Sequence, residues 1–349
     1  MRWSIARGVG IIASILLATA IGCGGGTAPR RNTQSDTLKV GFLMDTVAHE
    51  RWRRDRDLFI ARAKENGAET IVEVAEGDAA KQLAQAQSVL EKGVKVLVVV
   101  PHDAQRAGAI VEAAKSRNVP VVSYDRLIWD ADIDLYVSFD NVRVGEMQAQ
   151  YLASRAPKGN YVLIGGAPTD HNAQQLREGQ TKALKPLVDR RAIHIVSSEW
   201  ATDWSAAEAR RLTEDALKKT KNQIAAVVAS NDVTAGGAIE ALAAANLAGK
   251  VLVSGQDAEL DAARRIVQGT QAMTVYKPVR SLARLAAAAA VALAKGQDVP
   301  TATTVNNGRR DVPAMLLPPI SVDKETIDST LIRDGFHTRE AVYDNSRRP

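Results

Sequence analysis

Four strand-like runs of this sequence end in polar triplets: Tyr124-Asp125-Arg126, Ser230-Asn231-Asp232, Gly255-Gln256-Asp257 and Tyr276-Lys277-Pro278. A carboxylate only accepts hydrogen bonds, a guanidinium offers five donors, and an amide does both. Together they can satisfy a neutral polyol, whose hydroxyls each donate and accept. One such triplet alone reads as a turn or a helix cap, but four at strand exits predict a polar crevice. In it Asp125 and Asp257 accept, Arg126 and Lys277 donate, and Asn231 does both. Aromatic residues make up only 4% of the chain, yet Trp52 and Trp204 both stand at helix starts. A flat indole there suits the apolar C–H face of a sugar ring. Asp170-His171-Asn172 follows the strand-like run 161–164, and Arg177 comes one and a half turns later. They offer an acceptor, an amide and a cation, and read equally well as a helix N-cap followed by a surface arginine.

Groups that would activate a nucleophile or a water are not brought together by any motif. There is no Walker phosphate loop, and the five histidines, at 49, 102, 171, 194 and 337, form no metal-type pair. The run Asp257-Ala258-Glu259-Leu260-Asp261 imitates the start of a calcium loop. However, Ala262 and Gln268 stand where that loop needs glycine and glutamate. The expectation is binding without chemistry: no enzyme, no cofactor and no metal.

The elements that must position these residues alternate, strand then helix, from Thr37 onward. Such βα units specify an α/β fold of two doubly wound, Rossmann-like lobes with parallel sheets. The reading places 37–140 plus 278–305 in an N-terminal lobe and 141–277 plus 306–345 in a C-terminal lobe. Asn306-Asn307-Gly308 is taken as a turn on a return crossing between them. The 349 residues, 46% hydrophobic, suffice for two cores. A net charge of +5 is spread over 45 basic and 40 acidic residues, which predicts a mixed solvated surface and no nucleic-acid partner.

Residues 1–22, with Arg2 and Arg7 before an apolar run too short for a membrane span, read as an export signal. Cys23 is the sole cysteine, so no internal disulfide forms. Its setting resembles the lipobox of bacterial lipoproteins, with Ala20 where leucine is usual. That likeness implies a lipidated Cys23, a flexible tether over 23–36, and attachment to a membrane in the periplasm or cell envelope.

As a set, ERWRRDRD (50–57), SYDRLI (123–128), DADIDLYVSFDN (130–141), VVASNDVTAGGAIEAL (227–242), SGQDAEL (254–260) and GTQAMTVYKP (269–278) resemble the periplasmic D-xylose-binding proteins of bacterial sugar transporters. NNGRRDVPAMLL (306–317) and RDGFH (333–337) extend the likeness to most of the chain. The resemblance implies a type I periplasmic binding protein: two lobes, joined by three crossings, that close on one pyranose. It also implies sugar contacts at Arg51, Asp125, Arg126, Asp170, Asn172, Arg177, Asn231, Asp257 and Lys277, with Trp52 and Trp204 sandwiching the ring. His171 stands where the family tends to have asparagine. The implied partner is an ABC-type permease that receives D-xylose from the receptor; the single cysteine and the lack of an obvious apolar patch predict a monomer. Another pentose or a hexose, or a chemotaxis or sensor-kinase partner, is the alternative.

Overall fold

The structure is a computed structural model that describes residues 37–344. The leader, Cys23 and the tether lie outside the described residues. From Thr37 the chain runs β1 (Leu38–Met44), α1 (Glu50–Glu65), β2 (Ala68–Val74), α2 (Ala79–Glu91), β3 (Val96–Val99), α3 (Gly108–Lys115), β4 (Val121–Tyr124) and β5 (Leu135–Phe139). A second series follows: α4 (Asn141–Arg155), β6 (Gly159–Gly165), α5 (His171–Asp189), β7 (Ile193–Trp200), α6 (Ala206–Thr220), β8 (Ala226–Ala229), α7 (Asp232–Ala244), β9 (Leu252–Val253), α8 (Leu260–Gln268) and β10 (Thr274–Tyr276). The remainder is α9 (Val279–Ala294), β11 (Thr303–Asn306), β12 (Asp311–Leu317), β13 (Ile320–Val322) and α10 (Arg339–Tyr343).

The first sheet has the order β11-β12-β5-β4-β3-β1-β2 and is parallel except for β11. Its central strands are buried on both faces, as continuous apolar runs require. Val96 and Val98 of β3 pack with Phe42, Phe59 of α1 and Leu282 of α9. Leu97 and Val99 point to the other face, among Val89 of α2 and Ile110 of α3. The second sheet, β7-β6-β8-β9, is parallel and built alike. Val162, Ile164 and Val227 meet α6 and α7, while Tyr161, Leu163 and Val228 meet α4 and α5. Helices α4 and α5 touch at glycines: a Cβ on Gly145 would lie 2.1 Å from the Leu176 carbonyl oxygen, and one on Gly179 2.0 Å from that of Val142.

The chain crosses between the two sheets' lobes three times, after β5 into α4, after β10 into α9, and after β12 into β13, which pairs with β10. One boundary of the sequence reading is corrected here. Residues 306–317 belong with the first sheet, because β12 adds parallel to β5 (Ala314 opposite Tyr136) and β11 folds back on it. Asn306-Asn307-Gly308 is therefore a hairpin turn, with Gly308 at φ 89°, and no lobe crossing. Buried Asn307 ties it to the first lobe by donating to the carbonyls of Ile128 (3.2 Å) and Ala131 (2.7 Å).

Candidate functional site

Every strand named at the outset delivers its polar terminus to one cleft between the lobes; three of them, β4, β8 and β9, do so from the carboxyl ends of parallel sheets, and β10 does so from its antiparallel pair with β13. The first lobe contributes Asp125 and Arg126 from the end of β4, and Arg51 and Trp52 from the first turn of α1. The second contributes Asp170 and Asn172 at the start of α5, Trp204 after β7, Asn231 after β8, Asp257 after β9 and Lys277 after β10. These ten line one cavity.

The cations and carboxylates of the two lobes interlock. Buried Arg51 donates from Nε to Asp55 (3.3 Å), from Nη1 to Asp257 (3.2 Å) and from Nη2 to Asp125. Lys277 Nζ lies 3.1 Å from Asp257 and 3.9 Å from Asp125. Arg126 reaches Asp45 (2.6 Å) from Nη1 and, across the cleft, Asp170 (2.8 Å) from Nε. Asn172 donates to the carbonyl of Asp125 at 3.0 Å.

Burial is costly for each charge, and the partners decide the outcome. Burial works to raise the Asp45 carboxyl, but the Arg126 charge and His102 outweigh it and hold it at about 2. Asp125 is likewise lowered against its burial by Arg51 and Lys277. Asp55, wholly buried, is pushed up to about 6 despite Arg51 and the Tyr124 hydroxyl. Burial also lifts Glu259 to about 8, with Asp232 and Asp257 adding to it.

The backbone is strained where these side chains emerge. Asp125 (φ 61°), Trp204 (φ 60°), Asp257 (φ 93°) and Ala258 (φ 54°) are all left-handed without being glycine, at a cost of about 1–3 kcal/mol each. The surroundings hold them there. The Asp125 carbonyl accepts from Ser138 Oγ (2.6 Å) and Tyr136 Oη (3.0 Å), while Asp257 N donates to the Val275 carbonyl at 2.9 Å. Buried Asp232 braces the same loop from below. It accepts from Glu259 N (3.0 Å), Thr274 Oγ1 (3.0 Å) and Gln271 Nε2 (2.8 Å). The Trp204 indole lies so close over Gly166 that a Cβ there would sit 2.3 Å from it.

Arg177, expected at the site, is not part of the cavity wall. Its guanidinium lies 4.4 Å from the Trp200 ring and donates to Ser198 Oγ and the Glu199 carbonyl. His171 meets Trp129 of the opposite lobe ring to ring at 4.4 Å, outside the cavity. His49, Gln256 and Glu259 line the cavity and were not among the expected residues. Asp45 and Asp55 stand behind it. Three of them left a trace in the sequence: Asp45 directly follows β1, Asp55 is four residues after Arg51 on α1, and Gln256 is inside one of the polar triplets. Among the described residues the Oε1 of Gln256 and the Nε1 of Trp204 have no hydrogen-bond partner. What the arrangement can do is grip a small, neutral, hydroxyl-rich molecule from both lobes at once.

Residues 40–298 match the family described as periplasmic binding protein domain. The chain is similar to the D-xylose-binding periplasmic protein of Escherichia coli K12, with 49% identity over 86% of this chain and 91% of that one. It is 47% identical to the D-xylose-binding periplasmic protein of Haemophilus influenzae, over 89% of this chain and 94% of the relative. Among solved structures, a carbohydrate transporter solute-binding protein of Chloroflexus aurantiacus in complex with D-glucose superposes with a TM-score of 0.81 at 33% identity. That match covers 87% of this chain and 98% of the other.

Proposed function

The chain belongs to the periplasmic binding protein domain family, and on that premise we propose that this sugar-binding receptor captures D-xylose and delivers it to an ABC-type permease. The observation that carries the reading is the cross-lobe set of Arg51, Asp125, Asp257 and Lys277. A pyranose wedged among them exchanges charge–charge contacts for hydroxyl contacts to the same atoms, and each hydroxyl then satisfies a donor and an acceptor. Arg126, Asp170, Asn172 and Asn231 take the remaining hydroxyls, while Trp52 and Trp204 cover the C–H faces of the ring. A sugar lacking one hydroxyl leaves a buried group unsatisfied, at a cost of about 1–3 kcal/mol. Bound sugar favours the closed arrangement because it touches both lobes, and closure about the three crossings is the signal to the permease.

The receptor works in the periplasm, where its relatives function. Lipidated Cys23 anchors it there as a monomer, with 23–36 as the tether. The likeness to a D-glucose-bound structure supports a second reading, in which the pocket takes a hexose. Equilibrium titration separates the two. Protein unfolded and refolded to strip carried-over sugar is titrated with D-xylose, D-ribose, L-arabinose, D-glucose and D-galactose. Saturable one-to-one binding with D-xylose well ahead supports the first reading, a hexose ahead supports the second, and silence toward all five overturns both.

A further inference from the structure

Helix α1 carries Arg51 and Trp52 on the face turned to the cavity, and Glu50 and Arg54 on a neighbouring face that the cavity does not include. That second face is gripped by the opposite lobe. Helix α8 begins at Leu260, and its N-cap residue, Glu259, supplies no side-chain cap. The acceptor comes instead from the first lobe: Leu260 N donates to Glu50 Oε2 at 3.3 Å. An anion at a helix N-terminus satisfies an orphan N–H and meets the favourable end of the helix dipole.

Glu50 is held in place by Arg54, which donates to its Oε1 from Nη2 at 2.6 Å and from Nε at 3.1 Å. The same guanidinium donates to the Phe336 carbonyl and lies 4.3 Å from the Phe336 ring. His337 completes the set. Its Nε2 faces the Ala258 carbonyl at 2.7 Å and therefore donates, which leaves Nδ1 to accept from Arg54 Nη2 at 3.4 Å. Phe336, Ala258 and Leu260 all pack in the second lobe's cluster with Tyr276 and Val322. Every contact of the Glu50–Arg54 pair with that cluster depends on the lobes being together.

We propose that Glu50 and Arg54 form an interlobe latch: positioning residues that set sugar affinity by stabilising the closed state without touching the sugar. The proposal rests on the sugar-receptor reading. The apparent affinity of a ligand that needs the closed state scales with the fraction of closed protein. Loss of the latch therefore weakens every sugar by one common factor, whereas a change in the cavity wall alters the ranking of sugars.

The test is calorimetry of Glu50→Ala, Arg54→Ala and the double variant with D-xylose and with the weaker-binding sugars. Each single variant raises every Kd about fivefold, the typical worth of a helix cap. The xylose-to-glucose ratio stays unchanged, and the double variant loses little more, because the pair acts as a unit. Thermal unfolding without sugar matches the parent, and the sugar-induced rise in Tm is smaller. An unchanged Kd overturns the latch, and so does a shifted sugar ratio, which would make these residues part of the pocket. If the parent binds no sugar, the receptor reading fails separately. Single-molecule energy transfer between dyes on the two lobes then judges the latch alone: the closed population falls in both variants, and an unchanged population overturns the proposal.

Discussion

Arg51 donates to Asp55, Asp125 and Asp257, and this explains why an arginine stands at that point of α1. Its planar fork serves three carboxylates at once, which a lysine's single ammonium does not match. Asp257 belongs to the other lobe and is shared with Lys277. Asp257→Ala therefore removes an acceptor from both cations, and xylose affinity is expected to fall roughly 30-fold or more. Arg177→Ala serves as the contrast. Its guanidinium lies against Trp200 and Ser198, so affinity is expected to change by less than about fivefold, in line with substitutions away from a site's contacts. Both are read by titration calorimetry, and an Arg177→Ala loss as large as that of Asp257→Ala would contradict the placement. The difference between these residues marks what a sequence can convey. Asp125, Asn231 and Asp257 were legible because a strand's exit in a parallel sheet has one destination, and Lys277 because it ends the strand-like run that follows α8. Arg177 sits inside a helix, where spacing alone does not say which face meets the cleft. Asp55 was missed because its role is to hold Arg51 and not to face the ligand, although its i,i+4 spacing from Arg51 is the trace it left.

The loops between elements carry the strain that aims these groups. Asp257 and Ala258 are both left-handed, and Asp232 braces their loop with three accepted hydrogen bonds. Gly255 leaves room for that carboxylate, since a Cβ there would lie 1.9 Å from Asp232 Oδ1. Burial, opposed by Arg265 and reinforced by Asp257, pushes the Asp232 carboxyl from its ordinary 3.8 to about 7. Between those two values the unfolded chain has released the proton and the folded chain keeps it, so folding is favoured as pH falls from above 7 toward 4. Relative to Asp232→Asn, the parent is expected to gain stability over that descent, measured by denaturant unfolding at pH 8, 7, 6 and 5; a constant difference would contradict the shift. At the end of β6 the Trp204 indole rests on Gly166, which leaves no space for a methyl group. Gly166→Ala is expected to destabilise the fold by about 1–3 kcal/mol and to weaken xylose binding by displacing the indole; full affinity would show that the ring position is immaterial. These elements were mostly legible in advance, since β3 and β4 are short apolar runs between helical patterns. The turn at Asn306-Asn307-Gly308 was legible as a turn, but its setting was not. Whether β12 joins the first or the second sheet depends on a pairing with β5, more than 170 residues away in sequence, and no local pattern encodes a partner.

At the scale of the molecule, the strand ends of two largely parallel sheets open on one cleft, and charged groups from each lobe neutralise those of the other. Arg126 with Asp170, Arg51 with Asp257 and Asn172 with Asp125 all bridge the lobes. Helix α1 links the cavity to the rim. It presents Arg51 and Trp52 to the cavity, and Glu50 and Arg54 to the opposite lobe. Three crossings join the lobes, and each lobe keeps its own core. That architecture could be read from the alternation of strands and helices together with the family likeness, whereas the cross-lobe pairing needed three dimensions. The central claim is that a sugar draws the lobes together by entering this shared set of charges. It is tested most directly by small-angle X-ray scattering from refolded, sugar-free protein before and after saturation with D-xylose. The account predicts a smaller radius of gyration on saturation, and no such change in Asp257→Ala at the same sugar concentration. A parent profile that stays the same while calorimetry shows the sugar bound would contradict it.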